Sequence, residues 1–195
     1  MLTPAVTGRL TVAMARTVYY TATSLDGFIA TDDHDLGWLL SRTAGEDGPL
    51  DYPAFIADVG ALCMGANTYR WMHRELHGAD GTATEAWPYA QPCWVFTHGD
   101  LPAWPGAELR PTADGVESVH AEMAAAAGDG VVWVVGGGEL AGQFLDHGLL
   151  DEVVVNIAPV SLGSGRPLLP RRADLKLLET VQSGEFVAAR FAVVR

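Results

Sequence analysis

Lysine is almost absent from this chain of 195 residues, and basic residues of any kind are scarce. Against 24 aspartate and glutamate residues there are 12 lysine and arginine residues, and Lys176 is the single lysine. The formal net charge is −12, and no stretch gathers basic residues into a stripe that could follow a nucleic-acid backbone. We therefore expect no nucleic-acid partner. An anionic ligand would have to be bound mainly by backbone amides and a few arginines.

Cysteine and long apolar runs are also scarce. Cys63 and Cys93 each lie within an apolar stretch and lack the spacing of a metal site, so buried free thiols are favoured and a disulfide is the alternative. No apolar run approaches the ~20 residues needed to span a bilayer. The N-terminus lacks the charged start and continuous apolar core of a signal peptide. We expect a cytoplasmic protein with no metal ligands and no membrane partner, in which residues 1–16 form a loose N-terminal tail.

The rest of the chain alternates between strand-like and helix-like stretches. Strands are predicted over 17–23, 61–64, 92–98, 131–135, 151–160, 175–182 and 186–194, and helices over 51–60, 65–72, 116–127 and 139–148. Continuous apolar strands alternating with helices indicate an α/β fold with a mostly parallel sheet that is buried on both faces. The last two strands are close enough to form an antiparallel hairpin, so the sheet is mixed. With no repeat or linker, residues 17–195 form one domain.

Three consecutive glycines follow the strand in the stretch VVWVVGGGEL (131–140) and precede a helix. At such a junction the exposed backbone N–H groups and the helix dipole can bind a phosphate, and a Cβ atom would block its approach. A purely structural turn is the alternative. The spacing does not fit the G-x-G-x-x-G pattern of a Rossmann fold. Gly65 lies at a second strand-to-helix junction, and Thr97 and His98 end a third strand. Together these junctions indicate a long ligand with several phosphates, namely a dinucleotide.

Several segments, in this order, resemble the dihydrofolate-reductase superfamily. They are SLDGFIA, MGANTY and the long segment VWVVGGGELAGQFLDHGLLDEVVVNIAPVSLGSGRPLL. Within the superfamily the chain is most similar to the branch that contains the C-terminal reductase domain of the riboflavin-biosynthesis deaminase-reductase, RibD. The resemblance implies a three-layer α/β sandwich with a mostly parallel, mixed sheet of about eight strands and flanking helices. It also implies NADPH as cofactor and a homodimer.

The resemblance assigns cofactor-binding roles to matching positions. Ala22 and Ile29 would lie near the nicotinamide, and Thr97 and His98 would face the adenosine ribose. The pyrophosphate and the adenosine side would contact two junctions, formed by Gly65, Ala66, Asn67 and Thr68 and by Gly136, Gly137, Gly138, Glu139 and Leu140. The peptide between Gly136 and Gly137 would be cis.

The sequence departs from the family pattern at the positions that usually carry charge for the cofactor. Ala66 and His98 stand where the family usually has basic residues, so the 2′-phosphate would have to be bound by Arg70, Arg74 or His98. No H-x-E motif occurs together with a P-C-x-x-C motif, so the zinc deaminase half of the bifunctional enzyme is missing. No arginines that would bind a ribose-phosphate substrate can be assigned.

Two aspartates are the proposed proton-handling groups. Asp26 lies in the loop beside the expected nicotinamide site, where an Asp-Gly turn is the structural alternative. Asp51 begins a helix near the position of the pterin-binding carboxylate of dihydrofolate reductases, where a helix N-cap is the alternative.

The resulting hypothesis is an NADPH-dependent oxidoreductase that transfers hydride to a C=N or C=O bond of a small heterocyclic, pterin- or pyrimidine-like substrate. Two alternatives stay open. One is the 5-amino-6-(5-phosphoribosylamino)uracil reductase of riboflavin biosynthesis, and the other is a non-catalytic dimeric member of the family.

Overall fold

A single eight-stranded sheet forms the centre of the molecule in the computed structural model, which describes residues 15–45, 48–77 and 86–195. The strands are β1 (Arg16–Ser24), β2 (Phe28–Ala30), β3 (Val59–Gly65), β4 (Cys93–Phe96), β5 (Leu109–Thr112), β6 (Val131–Gly136), β7 (Glu152–Ala158), β8 (Arg166–Pro167), β9 (Leu175–Ser183) and β10 (Phe186–Val193). Strand β1 begins one residue before the predicted position, and residues 1–14 of the predicted tail lie outside the described residues.

The order of strands in the large sheet is β5-β4-β3-β6-β1-β7-β10-β9. All neighbours from β5 to β7 pair in parallel, whereas β10 pairs antiparallel with both β7 and β9. The predicted mixed sheet of eight strands and its C-terminal hairpin are therefore confirmed. The hairpin turns at Gly184 and Glu185, and Gly184 has a positive φ of 59° that favours glycine.

Five helices connect the strands in the part of the chain that the structure describes. They are α1 (Gly37–Leu40), α2 (Tyr52–Ala57), α3 (Ala66–His77), α4 (Val116–Ala127) and α5 (Gly138–Asp146). Helix α4 ends at Gly128, as predicted, and α5 ends at His147, just before Gly148 with its φ of 65°. None of these helices in the described part of the chain is long and apolar enough to cross a membrane.

Side chains on the two faces of the sheet enter two separate cores, as a sheet covered on both faces requires. On one face Tyr19 packs with Phe144 of α5 and Met123 of α4. On the other face Tyr20 and Tyr69 of α3 share a core. Helices α3 and α5 consequently lie on opposite faces of the sheet.

The cysteines lie inside these cores. Cys63 and Cys93 are free thiols and are fully buried, on neighbouring strands β3 and β4. Burial raises the pKa of both thiols, so they remain protonated and behave as small apolar groups. The favoured interpretation of buried free thiols is thus confirmed.

Strand β5, helix α1 and the small two-stranded sheet of β2 and β8 have no counterpart among the predicted elements. Strand β5 has four residues and contains Pro111, which a strand at the edge of a sheet tolerates. The β2–β8 pair depends on Gly165, because a Cβ atom there would lie 2.2 Å from the carbonyl oxygen of Ala30. This pair places the segment after β7 against the loop after β1.

Candidate functional site

A cavity of about 960 Å³ opens at the carboxyl ends of β3, β4, β5 and β6. After β3 the chain moves towards one edge of the sheet, through β4 to β5. After β6 it moves in the opposite direction, to β7, so the direction of strand addition reverses between the neighbouring strands β3 and β6. Open α/β sheets bind ligands in the crevice at such a reversal. The crevice here is bordered by the N-terminal residues of α3 on one face and of α5 on the other.

Nearly all the predicted cofactor residues border this cavity. They are Ile29, Gly65, Ala66, Asn67, Thr68, Thr97, His98, Gly136, Gly137, Gly138, Glu139 and Leu140. Ala22 does not border it, although the preceding residue, Thr21, does. Residues that are separated by more than a hundred positions in the sequence thus form one continuous wall.

Glycine occupies the positions of the cavity wall for different physical reasons. A Cβ atom on Gly65 would meet its nearest protein atom at 3.9 Å, and one on Gly137 would meet the Cδ1 atom of Ile29 at 3.8 Å. A Cβ atom would therefore make only ordinary van der Waals contacts at both positions. A Cβ atom on Gly138, in contrast, would lie 2.2 Å from the carbonyl oxygen of Pro167. Packing against β8, and not only access for a ligand, requires glycine at Gly138.

Helix α5 begins with backbone donors that no side chain caps. Gly137 occupies the N-cap position with φ −87° and ψ −176°, and no side-chain hydrogen bond caps the helix. The first N–H groups of an α-helix have no partner within the helix and carry partial positive charge. Because Gly138, Glu139 and Leu140 all border the cavity, this helix end fits an anionic group. The peptide between Gly136 and Gly137 is cis, as the resemblance implies.

Two basic side chains border the cavity near the end of β4. Arg70 reaches across from α3, and its Nη2 atom donates a hydrogen bond of 3.1 Å to the carbonyl oxygen of Asp100. Arg70 has no carboxylate partner among the described residues. His98 lies on the same wall, whereas Arg74 is exposed and does not border the cavity. Of the three candidates for binding a 2′-phosphate, the structure thus brings Arg70 and His98 to the cavity.

Asp26 is fully occupied by hydrogen bonds and does not border the cavity. Its carboxylate accepts bonds from the hydroxyls of Ser24 (2.7 Å) and Ser161 (2.9 Å) and from the N–H groups of Leu162 (3.0 Å) and Gly163 (2.7 Å). These bonds, led by that from Ser24, hold the pKa of Asp26 well below its usual range. The carboxylate thereby joins the loop after β1 to the loop after β7 through hydrogen bonds. This favours a structural role for Asp26 in its Asp-Gly turn over a role in proton transfer.

Asp51 is also engaged elsewhere, and it is 4% exposed. It occupies the N-cap position of α2, as predicted, but its side chain makes no capping hydrogen bond. Its carboxylate instead accepts very short hydrogen bonds from the N–H of Gly48 and the hydroxyl of Ser183. Ser183 ends β9, so a bond to the distant hairpin replaces the local one.

Three charged or titratable residues of the cavity wall, His34, Asp114 and Arg166, have no counterpart among the predicted site residues. His34 lies in the loop after β2 with a positive φ of 63°, which is uncommon outside glycine. Arg166 belongs to β8, and its Nη2 atom donates a hydrogen bond of 2.9 Å to the carbonyl oxygen of Asp32. His34 and Arg166 lie in short segments of the sequence that show no hydrophobic periodicity. A histidine following DD and an arginine within the turn-rich GSGRP were the only available signals.

The cavity suits an organic anion better than a metal ion. In the described ranges no three histidine, cysteine, aspartate or glutamate side chains are grouped as metal ligands. Backbone amides and Arg70 instead provide donors along a cavity that is large enough for a dinucleotide.

Comparison with known proteins agrees with this geometry. The sequence model of the RibD C-terminal domain family matches residues 89–188. The chain is 31% identical over 180 residues to the uncharacterized protein YwjB of Bacillus subtilis, covering 90% of this chain and 97% of YwjB.

Two solved structures share the fold. A protein assigned to riboflavin biosynthesis from Shewanella sp. PV-4 superposes with a TM-score of 0.73 at 23% identity, covering 92% of this chain and 99% of that one. Dihydrofolate reductase from Enterococcus faecalis, in complex with NADP(H), superposes with a TM-score of 0.58 at 12% identity, covering 92% and 97%. With its dihydrofolate-reductase-like fold, the chain belongs to the RibD C-terminal domain family.

Proposed function

We propose that this protein is an NADPH-dependent reductase that acts on a C=N or C=O bond of a small heterocyclic substrate. The observation that carries the proposal is the cavity of about 960 Å³ between the N-termini of α3 and α5, which Gly65 and Gly137 border without a side chain of their own. A structural family member without ligands would have no need of this open space. The bound cofactor would supply the hydride.

The protein's own contribution in this proposal is to bind and orient. Backbone N–H groups at the start of α5 hold the pyrophosphate, since this helix end has no side-chain cap. Asn67 and Thr68 at the start of α3 contact the adenosine side, and Ile29 packs near the nicotinamide. A chain with a net charge of −12 thereby binds a polyanion through dipoles and one or two arginines.

Selection of NADPH over NADH is assigned to Arg70. The guanidinium group carries five N–H donors, and the carbonyl of Asp100 takes one of them. The remaining donors, on a group with no carboxylate partner in the described part of the chain, are available to a 2′-phosphate. Arg70 would in this way replace the basic residue that the family usually has at Ala66.

Three side chains are candidates for donating a proton to the substrate. Asp26 and Asp51 stay predictions for this role, but their hydrogen bonds occupy both carboxylates away from the cavity wall. His34 borders the cavity, as does Ile29 in the preceding strand β2. We therefore add a ring nitrogen of His34 as a third candidate for the proton donor.

Arg166 favours one second candidate, the reduction of 5-amino-6-(5-phosphoribosylamino)uracil. Arg166 borders the cavity, and its guanidinium group has no carboxylate partner among the described residues, so it could bind a substrate phosphate. The family match to the RibD C-terminal domain supports the same candidate.

A homodimer remains part of the proposal. Strand β9 forms the edge of the sheet, and large apolar side chains there and on β10 are exposed: Leu177 by 53%, Leu178 by 43% and Val187 by 50%. Cover by a second copy would remove these side chains from water.

The experiment that tests the function follows the loss of reduced-nicotinamide absorbance with a panel of dihydropterins and with the ribosylamino-uracil. Oxidation of NADPH that depends on one of these substrates supports the proposal. If the cofactor binds but no heterocycle in the panel is reduced, the substrate class is wrong.

A further inference from the structure

One arginine outside the cavity is bonded to a carboxylate on its wall. The Nη2 and Nη1 atoms of Arg171 lie 2.6 Å and 3.2 Å from the two carboxylate oxygens of Glu139, so the contact is bidentate. The Nε atom of Arg171 donates a bond of 2.8 Å to Asp146. Arg171 itself does not border the cavity, whereas Glu139 does.

Glu139 places a negative charge beside the helix end that is proposed to bind phosphates. It is the second residue of α5, and carboxylates in the first turn of a helix are attracted to the free N–H groups there. An unrestrained Glu139 side chain could therefore turn towards the same donors that a pyrophosphate needs. Its negative charge would also repel the ligand across a short distance.

The fold holds Arg171 where it prevents both effects. Its side chain crosses α5 at Gly142, where a Cβ atom would lie only 3.1 Å from the Cγ atom of the arginine. A further bond of 2.9 Å joins its Nη1 atom to the carbonyl oxygen of Pro170. Because Asp146 lies two turns beyond Glu139, the arginine draws the Glu139 carboxylate along the helix surface, away from the N-terminus.

We propose that Arg171 is a positioning residue for cofactor binding: it neutralises Glu139 and turns its carboxylate away from the N-terminal amides of α5. This inference rests on the proposed function, since the amides are kept free for a pyrophosphate. It explains how an acidic residue is tolerated beside a phosphate site in a chain with few basic residues.

The test is a double-mutant cycle with NADPH binding, measured by tryptophan fluorescence, as the readout. Arg171→Met leaves Glu139 unneutralised and should weaken NADPH binding by roughly fivefold at low salt. Glu139→Gln removes the repelling charge and should strengthen binding by about twofold. The double variant should return to within about twofold of the wild type, because no charge remains for Arg171 to cancel. Arg171→Lys, which keeps the charge but loses the bidentate fork, should lie between the wild type and Arg171→Met.

A matched control and salt dependence separate this role from a structural one. Arg16 forms an ion pair with Glu152 at the amino ends of β1 and β7, whereas the cavity opens at the carboxyl ends of the strands, so Arg16→Met makes the same charge change far from the cavity and should bind NADPH like the wild type. The penalty of Arg171→Met should shrink in high salt, which screens partly exposed charges.

Three results would overturn the inference. If the double variant binds as weakly as Arg171→Met, the arginine merely supports the packing of α5. If all variants bind like the wild type, Glu139 does not affect the ligand. If the wild type itself does not bind NADPH, the proposed function fails and this role fails with it.

Discussion

Replacing Gly137 by valine probes the ligand space of the cavity with little disturbance of the fold. The backbone at Gly137 has φ −87° and ψ −176°, a region that any residue adopts. An added Cβ atom would meet its nearest protein atom, the Cδ1 of Ile29, at 3.8 Å, which is ordinary van der Waals contact. Because Gly137 borders the cavity, we expect the isopropyl group to extend into it.

The two consequences of this change differ in magnitude. The free energy of unfolding should change by about 1 kcal/mol or less, because the backbone angles and the space for a Cβ atom suit a residue other than glycine, and replacing glycine also reduces the entropy of the unfolded chain. The affinity for NADPH should fall by roughly a hundredfold or more, or about 2.7 kcal/mol, because the branched side chain occupies the volume of a phosphate. Urea unfolding and fluorescence titration measure the two quantities on the same sample.

Gly138→Ala provides the contrasting control one residue later. Its Cβ atom would lie 2.2 Å from the carbonyl oxygen of Pro167, so this smaller substitution should destabilise the protein clearly. A Gly137→Val variant that folds and binds NADPH like the wild type would refute the placement of the pyrophosphate.

The remaining predictions concern charge, pH and assembly. Arg70→Met should lower the preference for NADPH over NADH by roughly tenfold in paired titrations, while Arg74→Met on the same helix should not; equal losses would refute the role of Arg70. Asp26→Asn should destabilise the protein at neutral pH, as measured by its urea midpoint. Because the folded pKa of Asp26 is lowered, this deficit should be full above about pH 4 and should narrow as the pH falls further; a deficit independent of pH would contradict the hydrogen-bond account. Sedimentation should give about twice 20.7 kDa for the wild type and a smaller species for Leu177→Asp, and a monomeric wild type would exclude the homodimer.

The sequence predicts the regular part of this fold well, because long apolar strands carry a strong signal. The stretch at 131–135 is apolar at every position, which is typical of a strand buried on both faces, and β6 lies at the centre of the sheet. Strand β5 lies at the edge and contains a proline, so its four residues carry almost no periodic signal. The pair of β2 and β8 forms only through contacts between distant segments.

The sequence predicts the location of the candidate site but not the hydrogen-bond partners of its neighbouring acidic residues. Glycines at strand ends identify the cavity, since Gly65 and Gly137 mark the junctions that border it. The partners of the acidic residues cannot be predicted from spacing. Asp51 bonds to Ser183, at a distance of 132 positions in the sequence, and a local pattern predicts a helix cap instead. Arg166 reaches the wall only because β8 pairs with β2.

The measurement that tests the central claim most directly is the titration of the wild-type protein with NADPH while its tryptophan fluorescence is recorded. Trp71 borders the cavity and should respond to a ligand there, whereas Trp133, in the adjoining strand, is buried in the core. If the protein binds NADPH in this cavity, NADPH should quench its fluorescence saturably at micromolar concentrations, and NADH should have a weaker effect. A folded sample that shows no quenching by either nucleotide at millimolar concentration would contradict it.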